Sequence, residues 1–205
     1  MIEQGSYEWH EQRLGKVTAS RVADVMAKTR NGYGAARENY MVQLLCERLT
    51  GKPAENFVSE PMRRGIELEP VAAAWYEIET NAMIETCGFY EHPTIKGFGA
   101  SPDRLLGDDG LIEIKCPNTA THLAFLLSGK IDKKYQWQMT AQIACTGRGV
   151  NTFISFDDRL PDGLQGAYAP FEPTDEMRKD MEAEIIKFLA ELDERESHLR
   201  ERIKQ

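Results

Sequence analysis

In the N-terminal part of the chain, hydrophobic residues first recur at helical spacing only after a polar segment. The segment from Tyr7 to Val17 has no clear period and is predicted to be irregular. Thr18 to Ser20 can then cap a short helix whose Val22, Val25 and Met26 share one face. The pattern therefore places the first helix close to residue 22.

Two longer helices are predicted next. A glycine-containing polar segment from Thr29 to Gly34 predicts a loop before them. Apolar residues then recur at helical spacing from about Ala36 to Thr50 and again from about Pro61 to Thr80. Pro70 either interrupts the second of these helices or begins its second half.

Beyond about Ala82 the pattern changes to short apolar runs separated by Gly, Pro and Asp, which is typical of strands joined by turns. The predicted strands are Met83–Thr86, Gly97–Ser101, Leu111–Cys116, Thr152–Phe156 and Ala167–Phe171. The predicted helices of this half are Thr121–Leu127, Asp132–Cys145 and a long charged helix from Thr174. This order favours an α/β fold in which helices flank a central mixed sheet. A single domain over residues 1–205 is expected, with the C-terminal helix from about 174 packing on the core or forming a subunit contact.

Composition narrows the class of protein. The net charge of -8 argues against a protein that coats DNA with a generally basic surface, although a local basic channel stays open. No apolar run approaches the roughly 18 residues that a membrane span needs, and the start lacks the pattern of a secretory signal. The four cysteines are scattered, which favours free thiols in a reducing cytoplasm over a zinc site or a disulfide framework.

One hairpin carries the candidate chemistry. In the predicted strand Leu111–Cys116, alternation puts Glu113 and Lys115 on the same face. If Gly107 to Gly110 forms the turn, the chain folds back so that Asp103 lies roughly opposite Glu113. The oxygen ligands that two carboxylates offer favour Mg²⁺ over zinc. A lysine beside them can orient a water toward a phosphodiester. The alternative is a solvated hairpin with a surface contact between the glutamate and the lysine.

The residues Pro102-Asp103 and Glu113-Ile-Lys115 resemble the signature of the PD-(D/E)xK nucleases. More of the chain is similar to the phage lambda exonuclease (YqaJ-type viral recombinase) family, in five ordered blocks: Trp9 to Ser20, Arg64 to Pro70, Ser101 to Asp103, Glu113 to Pro117, and a helix containing Gln138. The resemblance implies a restriction-endonuclease-like core. It also implies a Mg²⁺-dependent 5′-to-3′ exonuclease that digests one strand of linear double-stranded DNA to 5′-mononucleotides. The 3′ single-stranded overhangs left behind would serve phage-type single-strand-annealing recombination.

The same resemblance implies the metal site. Asp103, Glu113 and the backbone carbonyl of Ile114 would be ligands, and two Mg²⁺ ions are expected, with Mn²⁺ able to substitute. Glu69 matches an additional helical acid of the family. Glu67 is close by in sequence, but residues two apart on a helix point in different directions, so only one of the two is expected to serve.

Contacts to DNA are also implied by the resemblance. Lys115 would position and activate the attacking water. Five residues would bind the terminal 5′-phosphate or the nearby DNA: Arg13, Ser20, Arg30, Ser101 and Gln138. Ser20 has an alternative role as a helix N-cap. Gln142 lies one turn after Gln138 on the same helix face, and its role stays open because the family more often has a Gln-x-Gln spacing.

The family further implies a ring-shaped homotrimer and a single-strand annealing protein as partner, in the cytoplasm of a bacterial host and encoded by a phage or prophage. Two other functions stay open. One is a structure- or sequence-specific DNA endonuclease of the PD-(D/E)xK type, which would cut closed circles. The other is a non-catalytic DNA-end-binding module, against which the intact Asp103, Glu113 and Lys115 argue.

Overall fold

The structure is a computed structural model that describes residues 2, 4–30, 32–54 and 59–203. Its α-helices are α1 (Tyr7–Arg13), α2 (Val22–Val25), α3 (Ala35–Thr50), α4 (Glu60–Thr80), α5 (Thr119–Ser128), α6 (Lys133–Thr146) and α7 (Asp175–Ile203). Its strands are β1 (Val17–Thr18), β2 (Lys28–Thr29), β3 (Gly32–Tyr33), β4 (Ile84–Glu85), β5 (Tyr90–Glu91), β6 (Phe98–Ala100), β7 (Arg104–Leu106), β8 (Gly110–Lys115), β9 (Val150–Phe156) and β10 (Gly166–Phe171).

The largest sheet has the strand order β10-β9-β8-β7-β4. β8 runs antiparallel to β7 and parallel to β9, so the sheet is mixed, as predicted. A smaller sheet has the order β1-β6-β5, and β2 pairs with β3 in a short hairpin. The parallel β8–β9 connection contains α5 and α6, which satisfies the need of parallel neighbours for a long crossover.

Helices cover both faces of β8. On one face, Ala72 and Tyr76 of α4 pack with Ile112 and Ile114. On the other face lies α6, whose Met139 packs in a cluster with α5 and the neighbouring β9. Because β8 is covered on both sides, the Glu113 side chain is removed from water, and it therefore needs polar partners from α6.

The C-terminal helix α7 packs on the core. Its buried residues follow helical spacing and join a cluster with α2, α3 and α6. Met181, Ile185, Phe188 and Leu192 are all fully buried. Core packing is therefore one role of this helix. Within the described residues, no helix is both long enough and apolar enough to cross a membrane.

The prediction of an irregular segment from Tyr7 to Val17 is wrong, because α1 occupies Tyr7–Arg13. Ser6 caps α1, and its side chain accepts a hydrogen bond from the backbone N–H of Trp9 at 3.2 Å. None of the residues of α1 is fully buried, so the helix has no apolar stripe that periodicity could detect. A cap was the only local signal.

Three smaller expectations also change. The predicted loop at Thr29–Gly34 contains parts of the short strands β2 and β3. Thr18 precedes a 3₁₀ turn, Ala19–Arg21, but makes no side-chain cap. The helix α4 is continuous through Pro70, whose missing hydrogen bond falls on a side that faces solvent.

Candidate active site

The β7–β8 hairpin has the geometry that the sequence predicts. Arg104 pairs with Ile112 across the two strands, and the three-residue loop between them begins at Gly107 with a positive φ of 54°. Asp103 continues the pairing, because its N–H donates to the carbonyl of Ile112 at 3.1 Å. The N–H of Ile114 in turn donates to Oδ2 of Asp103 at 2.6 Å. The aspartate is therefore fixed opposite Glu113 and Ile114, which confirms the predicted register.

Glu113 is completely buried, and its carboxylate accepts from three side chains. Nε2 of Gln138 donates to Oε1 at 2.7 Å, and Nε2 of Gln142 donates to Oε2 at 2.5 Å. Lys115 forms an ion pair with Oε1 from the same strand. Because Gln138 and Gln142 are one turn apart on α6, a single helix face holds both oxygens of the carboxylate.

Gln142 connects this carboxylate to other parts of the site. It is fully buried, and its Oε1 accepts from Nδ2 of Asn151 on β9 at 2.6 Å. Its Nε2 also lies 3.5 Å from the backbone carbonyl of Ser101. The amide orientation of Gln142 is fixed by these contacts, since its oxygen faces a donor and its nitrogen faces acceptors.

The electrostatics of the hairpin are those of crowded carboxylates. Burial, and then the negative charge of Glu113, hold the pKa of Asp103 well above its usual range, although Lys115 opposes this. Burial by itself would lower the pKa of Lys115, but the charges of Glu113 and Asp103 outweigh it and the pKa is raised. The two acids therefore require positive charge nearby.

The donor set fits a hard divalent cation. Asp103 and Glu113 offer carboxylate oxygens from facing positions of the hairpin, and the carbonyl of Ile114 follows Glu113 directly on β8. In the part of the chain that the structure describes, no group of three His, Cys, Asp or Glu side chains could hold a metal alone. Mg²⁺ commonly takes only one or two carboxylates and completes its shell with water and substrate phosphate. Two carboxylates and a carbonyl are therefore a suitable set.

The structure distinguishes Glu69 from Glu67. Oε1 of Glu69 accepts from Nη1 of Arg104 at 2.8 Å, and the charge of Glu69 contributes to the raised pKa of Asp103. Glu67 is exposed and, together with Arg63, lines a cavity that includes neither Asp103 nor Glu113. Of the two acids, Glu69 is the one that lies near the hairpin, where its carboxylate is held by an arginine.

A cavity of about 200 Å³ opens beside the hairpin. Its lining includes Trp9, Arg13, Ser20, Ser101, Asp103 and Gln138. The cavity thus joins four of the five residues that the resemblance assigned to DNA with one of the carboxylates. The fifth, Arg30, is exposed in the turn between β2 and β3 and does not line this cavity.

Arg13 is held in place by a ring face and a serine hydroxyl and forms no ion pair among the described residues. Its guanidinium lies 4.0 Å from the centre of the Trp9 ring, and Nη1 donates to Oγ of Ser101 at 3.3 Å. Nε1 of Trp9 donates to the same oxygen at 3.0 Å. Burial lowers the pKa of Arg13 to about 10, although the nearby Tyr40 and the charge of Glu47 oppose this. A partly buried cation in this state is suited to bind an anion.

Ser20 is not a helix N-cap. It lies inside the 3₁₀ turn Ala19–Arg21, and its side chain is exposed toward the cavity. The alternative structural role is therefore wrong for this residue. Its hydroxyl is available to a ligand of the cavity.

The residues Trp9, Gln142 and Asn151 join the site without having been assigned to it from the sequence. For Gln142 a signal existed, since it lies one turn after Gln138. Trp9 begins the first of the five blocks, and the structure shows that its Nε1 donates a hydrogen bond to Oγ of Ser101. Asn151 had no signal, because it reaches the site only through the pairing of β9 with β8.

Comparisons with known proteins agree with this geometry. The model of the YqaJ-like viral recombinase domain matches residues 8–149. The chain is similar to the crystal structure of LHK-Exo in complex with dAMP, with 49% identity, a TM-score of 0.91, and coverage of 97% of this chain and 98% of that chain. It is similar to an alkaline exonuclease, LHK-Exo from Laribacter hongkongensis, with 50% identity, a TM-score of 0.90 and the same coverage.

A phage-related exonuclease from Haemophilus somnus 129PT shares the fold at 11% identity, with a TM-score of 0.73 over 90% of this chain and 96% of that chain. No curated protein sequence gave a match. The α/β fold predicted from the order of the elements and the restriction-endonuclease-like core implied by the resemblance are confirmed by these neighbours.

Proposed function

This chain belongs to the YqaJ-like viral recombinase family, and from that premise we propose that it is a Mg²⁺-dependent 5′-to-3′ exonuclease acting on linear double-stranded DNA. A nuclease role has the support of the family and of the exonucleases that are 49% and 50% identical to the chain. One observation carries the finer proposal. The cavity that Asp103 lines is also lined by Arg13, a cation that forms no ion pair in the described residues.

Asp103, Glu113, the carbonyl of Ile114 and Glu69 would hold the metal, as two Mg²⁺ ions, with Mn²⁺ able to substitute. The ions would supply positive charge to a phosphodiester whose transition state gains negative charge. To bind a metal ion, the carboxylate of Glu69 has to break its contact with Arg104 or bind the arginine and the ion at the same time.

The chain's own residues would then orient the reaction. Lys115 donates a hydrogen bond to the attacking water, and Gln138 and Gln142 hold the carboxylate of Glu113 in one orientation. Water attacks the phosphorus, the bond from phosphorus to O3′ breaks, and O3′ leaves with a proton. The products are a 5′-mononucleotide and a strand with a new 5′-phosphate, so each cut regenerates the end that the next cut needs.

Arg13, Ser20 and Ser101 would bind the terminal 5′-phosphate. A guanidinium can fork onto two phosphate oxygens, and the serine hydroxyls add donors. This contact sets the register, so that the first phosphodiester lies at Asp103 and Glu113. Arg30 would contact DNA farther from the cavity. Recognition of the end and of the backbone needs little reading of base sequence.

The test compares a 5′-phosphorylated linear duplex, a 5′-hydroxyl duplex and a closed circle, each with Mg²⁺ and with EDTA. The proposal requires rapid loss of the first substrate alone, only with metal, and accumulation of mononucleotides and 3′ single strands. Cutting of the closed circle would instead favour the endonuclease. Binding of ends without any hydrolysis would favour the non-catalytic module.

The proposal includes a ring-shaped homotrimer and a single-strand annealing partner in the cytoplasm of a bacterial host. A net charge of -8 is compatible with a DNA enzyme if basic groups line an inner channel and acidic groups the exterior. Light scattering should give the mass of three chains. A monomer at working concentration would contradict the ring, and failure of the annealing protein to co-purify would contradict the partnership.

A further inference from the structure

A second cavity lies directly beside the one that contains Asp103. Its volume is about 380 Å³, and its lining includes Trp9, Arg13, Lys16, Ser20, Arg21 and Tyr40. Three of these residues, Trp9, Arg13 and Ser20, line both cavities. The two spaces are therefore neighbours that share one wall, and that wall carries the proposed 5′-phosphate contact.

Arg21 lines the larger cavity and is held there by a ring face, an ion pair and a hydrogen bond. Its guanidinium lies 4.3 Å from the centre of the Tyr40 ring. Nε donates to Asp24 at 2.5 Å, and Nη1 donates to Oε1 of Gln43 at 2.9 Å. A guanidinium that is already stacked and oriented loses little freedom when it binds a phosphate.

The larger cavity is lined by more positive than negative charge. Lys16 adds a third cation to Arg13 and Arg21, and its acidic partner Glu91 has a side chain that is 60% exposed, outside the lining. Glu47 is the acid in the lining, and its carboxylate already accepts from the N–H of Gly15 at 3.0 Å and from Gln43 at 3.1 Å. The lining thus carries three cations and one carboxylate, and a phosphate in the cavity would share Arg21 with Asp24 and Lys16 with Glu91.

We propose that this cavity is a subsite for a phosphate on the 5′ side of the terminal-phosphate pocket, carried by an unpaired nucleotide of a 5′ overhang. The inference rests on the proposed exonuclease function and extends it to the kind of DNA end accepted. A strand with one phosphate at Asp103 and the preceding phosphate at Arg13 can continue past the shared wall into the larger cavity. Arg21 and Lys16 then contact the next phosphate, and the volume is within the range of sites for small ligands.

The proposed subsite predicts a different first product for an end that has a 5′ overhang. With an overhanging nucleotide in the subsite, the phosphate at Arg13 is an internal diester. Hydrolysis at Asp103 breaks the next bond from phosphorus to O3′, so a dinucleotide with a 5′-phosphate and a 3′-hydroxyl leaves. The remaining strand keeps a new 5′-phosphate, and all later products are mononucleotides.

The experiment compares a blunt 5′-phosphorylated duplex with one that has a one-nucleotide 5′ overhang, and identifies the first product of each by mass spectrometry. The expected first product is a mononucleotide from the blunt end and a dinucleotide from the overhang. A blunt 5′-triphosphate duplex is the second probe, because it also presents a phosphate to the subsite. Release of a nucleoside triphosphate from it would identify terminal polyphosphate as another source and would support the subsite as well.

Arg21→Ala tests the contact. The ratio of overhang to blunt initiation rates should fall about tenfold, the size expected for one lost hydrogen bond to a charged group. Arg21→Lys keeps the charge but not the bidentate guanidinium, so the ratio of initiation rates should fall less than in the alanine variant. The lysine variant also tests the contact if the alanine variant does not fold. Lys16→Ala should lower the same ratio. Arg202→Ala is the matched control, since this exposed arginine lies near the end of α7 and should leave the ratio unchanged.

Two results would overturn the inference while leaving the nuclease intact. One is a mononucleotide as the first product from the overhang. The other is that Arg21→Ala and Arg21→Lys each change the initiation rates on overhang and blunt ends by the same factor, so that the ratio of the two rates stays at its wild-type value. A wild-type protein that fails on blunt phosphorylated ends with Mg²⁺ would contradict the proposed function instead, so the two failures are distinguishable.

Discussion

The carboxylate cluster (Asp103, Glu113 and Glu69) and the cation group (Arg13, Lys16 and Arg21) are held by different kinds of contact. Glu113 is oriented by two neutral amides and a lysine, and Asp103 by a backbone N–H. Arg13 and Arg21 lie on the faces of aromatic rings, and Arg21 and Lys16 also form ion pairs with acids outside the cavity lining.

The difference shows how a site can keep like charges together before its ligands arrive. Amides and ring faces orient an ionised group without neutralising it, as Gln142 does for Oε2 of Glu113 and the Trp9 ring does for Arg13. The three carboxylates of the cluster contact only two cations, Lys115 and Arg104, so negative charge remains for metal ions, and Arg13 is a cation that forms no ion pair in the described residues. A DNA end with divalent ions supplies both kinds of missing charge at once.

The largest expected effect comes from removing a group of the carboxylate cluster or its lysine. Asp103→Asn and Lys115→Ala should each lower exonuclease turnover by about 10³-fold, the range for a group that stabilises charge or moves a proton in the transition state. The measurement is the initial rate on phosphorylated linear duplex at saturating Mg²⁺.

Asp108→Ala is the matched control, because this exposed aspartate lies in the loop of the same hairpin. It should keep the wild-type rate. The melting temperature of Asp103→Asn should not fall, since the asparagine still accepts from Ile114 and one of several like charges is gone. Retention of activity by either site variant would refute the assignment of the hairpin.

A smaller effect is expected from the amides that orient Glu113. Gln142→Leu leaves Glu113 and Asn151 each without one buried partner. Metal affinity should fall by about 10–100-fold, as for other partners of metal ligands. Mn²⁺ binding to the DNA-free protein by calorimetry measures this independently of activity. Gln136→Leu is the control, because this glutamine of α6 donates to the carbonyl of Ile131 instead. Equal losses in the two variants would mean a general packing effect.

The cation group should affect choice of substrate more than the chemical step. Arg13→Ala should reduce the preference for 5′-phosphate over 5′-hydroxyl ends by about tenfold, because a hydrogen bond to a charged group is lost. Arg13→Lys should keep part of the preference. The measurement is the ratio of kcat/KM values for the two ends, and an unchanged ratio would remove Arg13 from the phosphate site.

The smallest effect is on stability and involves Asp157, a buried carboxylate with close cationic partners. Nε of Arg159 and Nη2 of Arg64 contact it at 2.7 and 2.8 Å, and Thr119 donates to it at 2.6 Å. Burial alone would raise its pKa, but the hydrogen bonds from Arg159 and Thr119 outweigh burial and lower it. Asp157→Asn should cost about 1–3 kcal/mol of unfolding free energy at pH 7.

The pH dependence follows from the sign of that shift. A carboxyl whose folded pKa lies below its unfolded value of about 3.9 stabilises the protein above that pH and loses its contribution as the pH falls toward the folded value. Urea unfolding should therefore show a difference between wild type and Asp157→Asn that is full at pH 7 and shrinks below about pH 4. A difference independent of pH would contradict an ionic role.

Local pattern determined the hairpin and most of the helices. Alternation and a turn of Gly and Asp are sufficient to place Asp103 opposite Glu113, because the two are only ten positions apart and one strand register relates them. Helical spacing likewise sufficed for α3, α6 and α7, each of which buries a face. The sequence pattern did not predict the helix α1, because a short helix without buried residues has no hydrophobic period to detect.

Only the tertiary structure decided how these parts meet. The contact of Arg13 with Ser101 spans 88 positions, and that of Gln142 with Glu113 spans 29. Periodicity reports which face of an element is buried, but not which element covers it, since that depends on how the whole core packs. For the same reason the sequence alone showed neither the shared wall between the two cavities nor the role of Asn151, which arises from the pairing of β8 with β9.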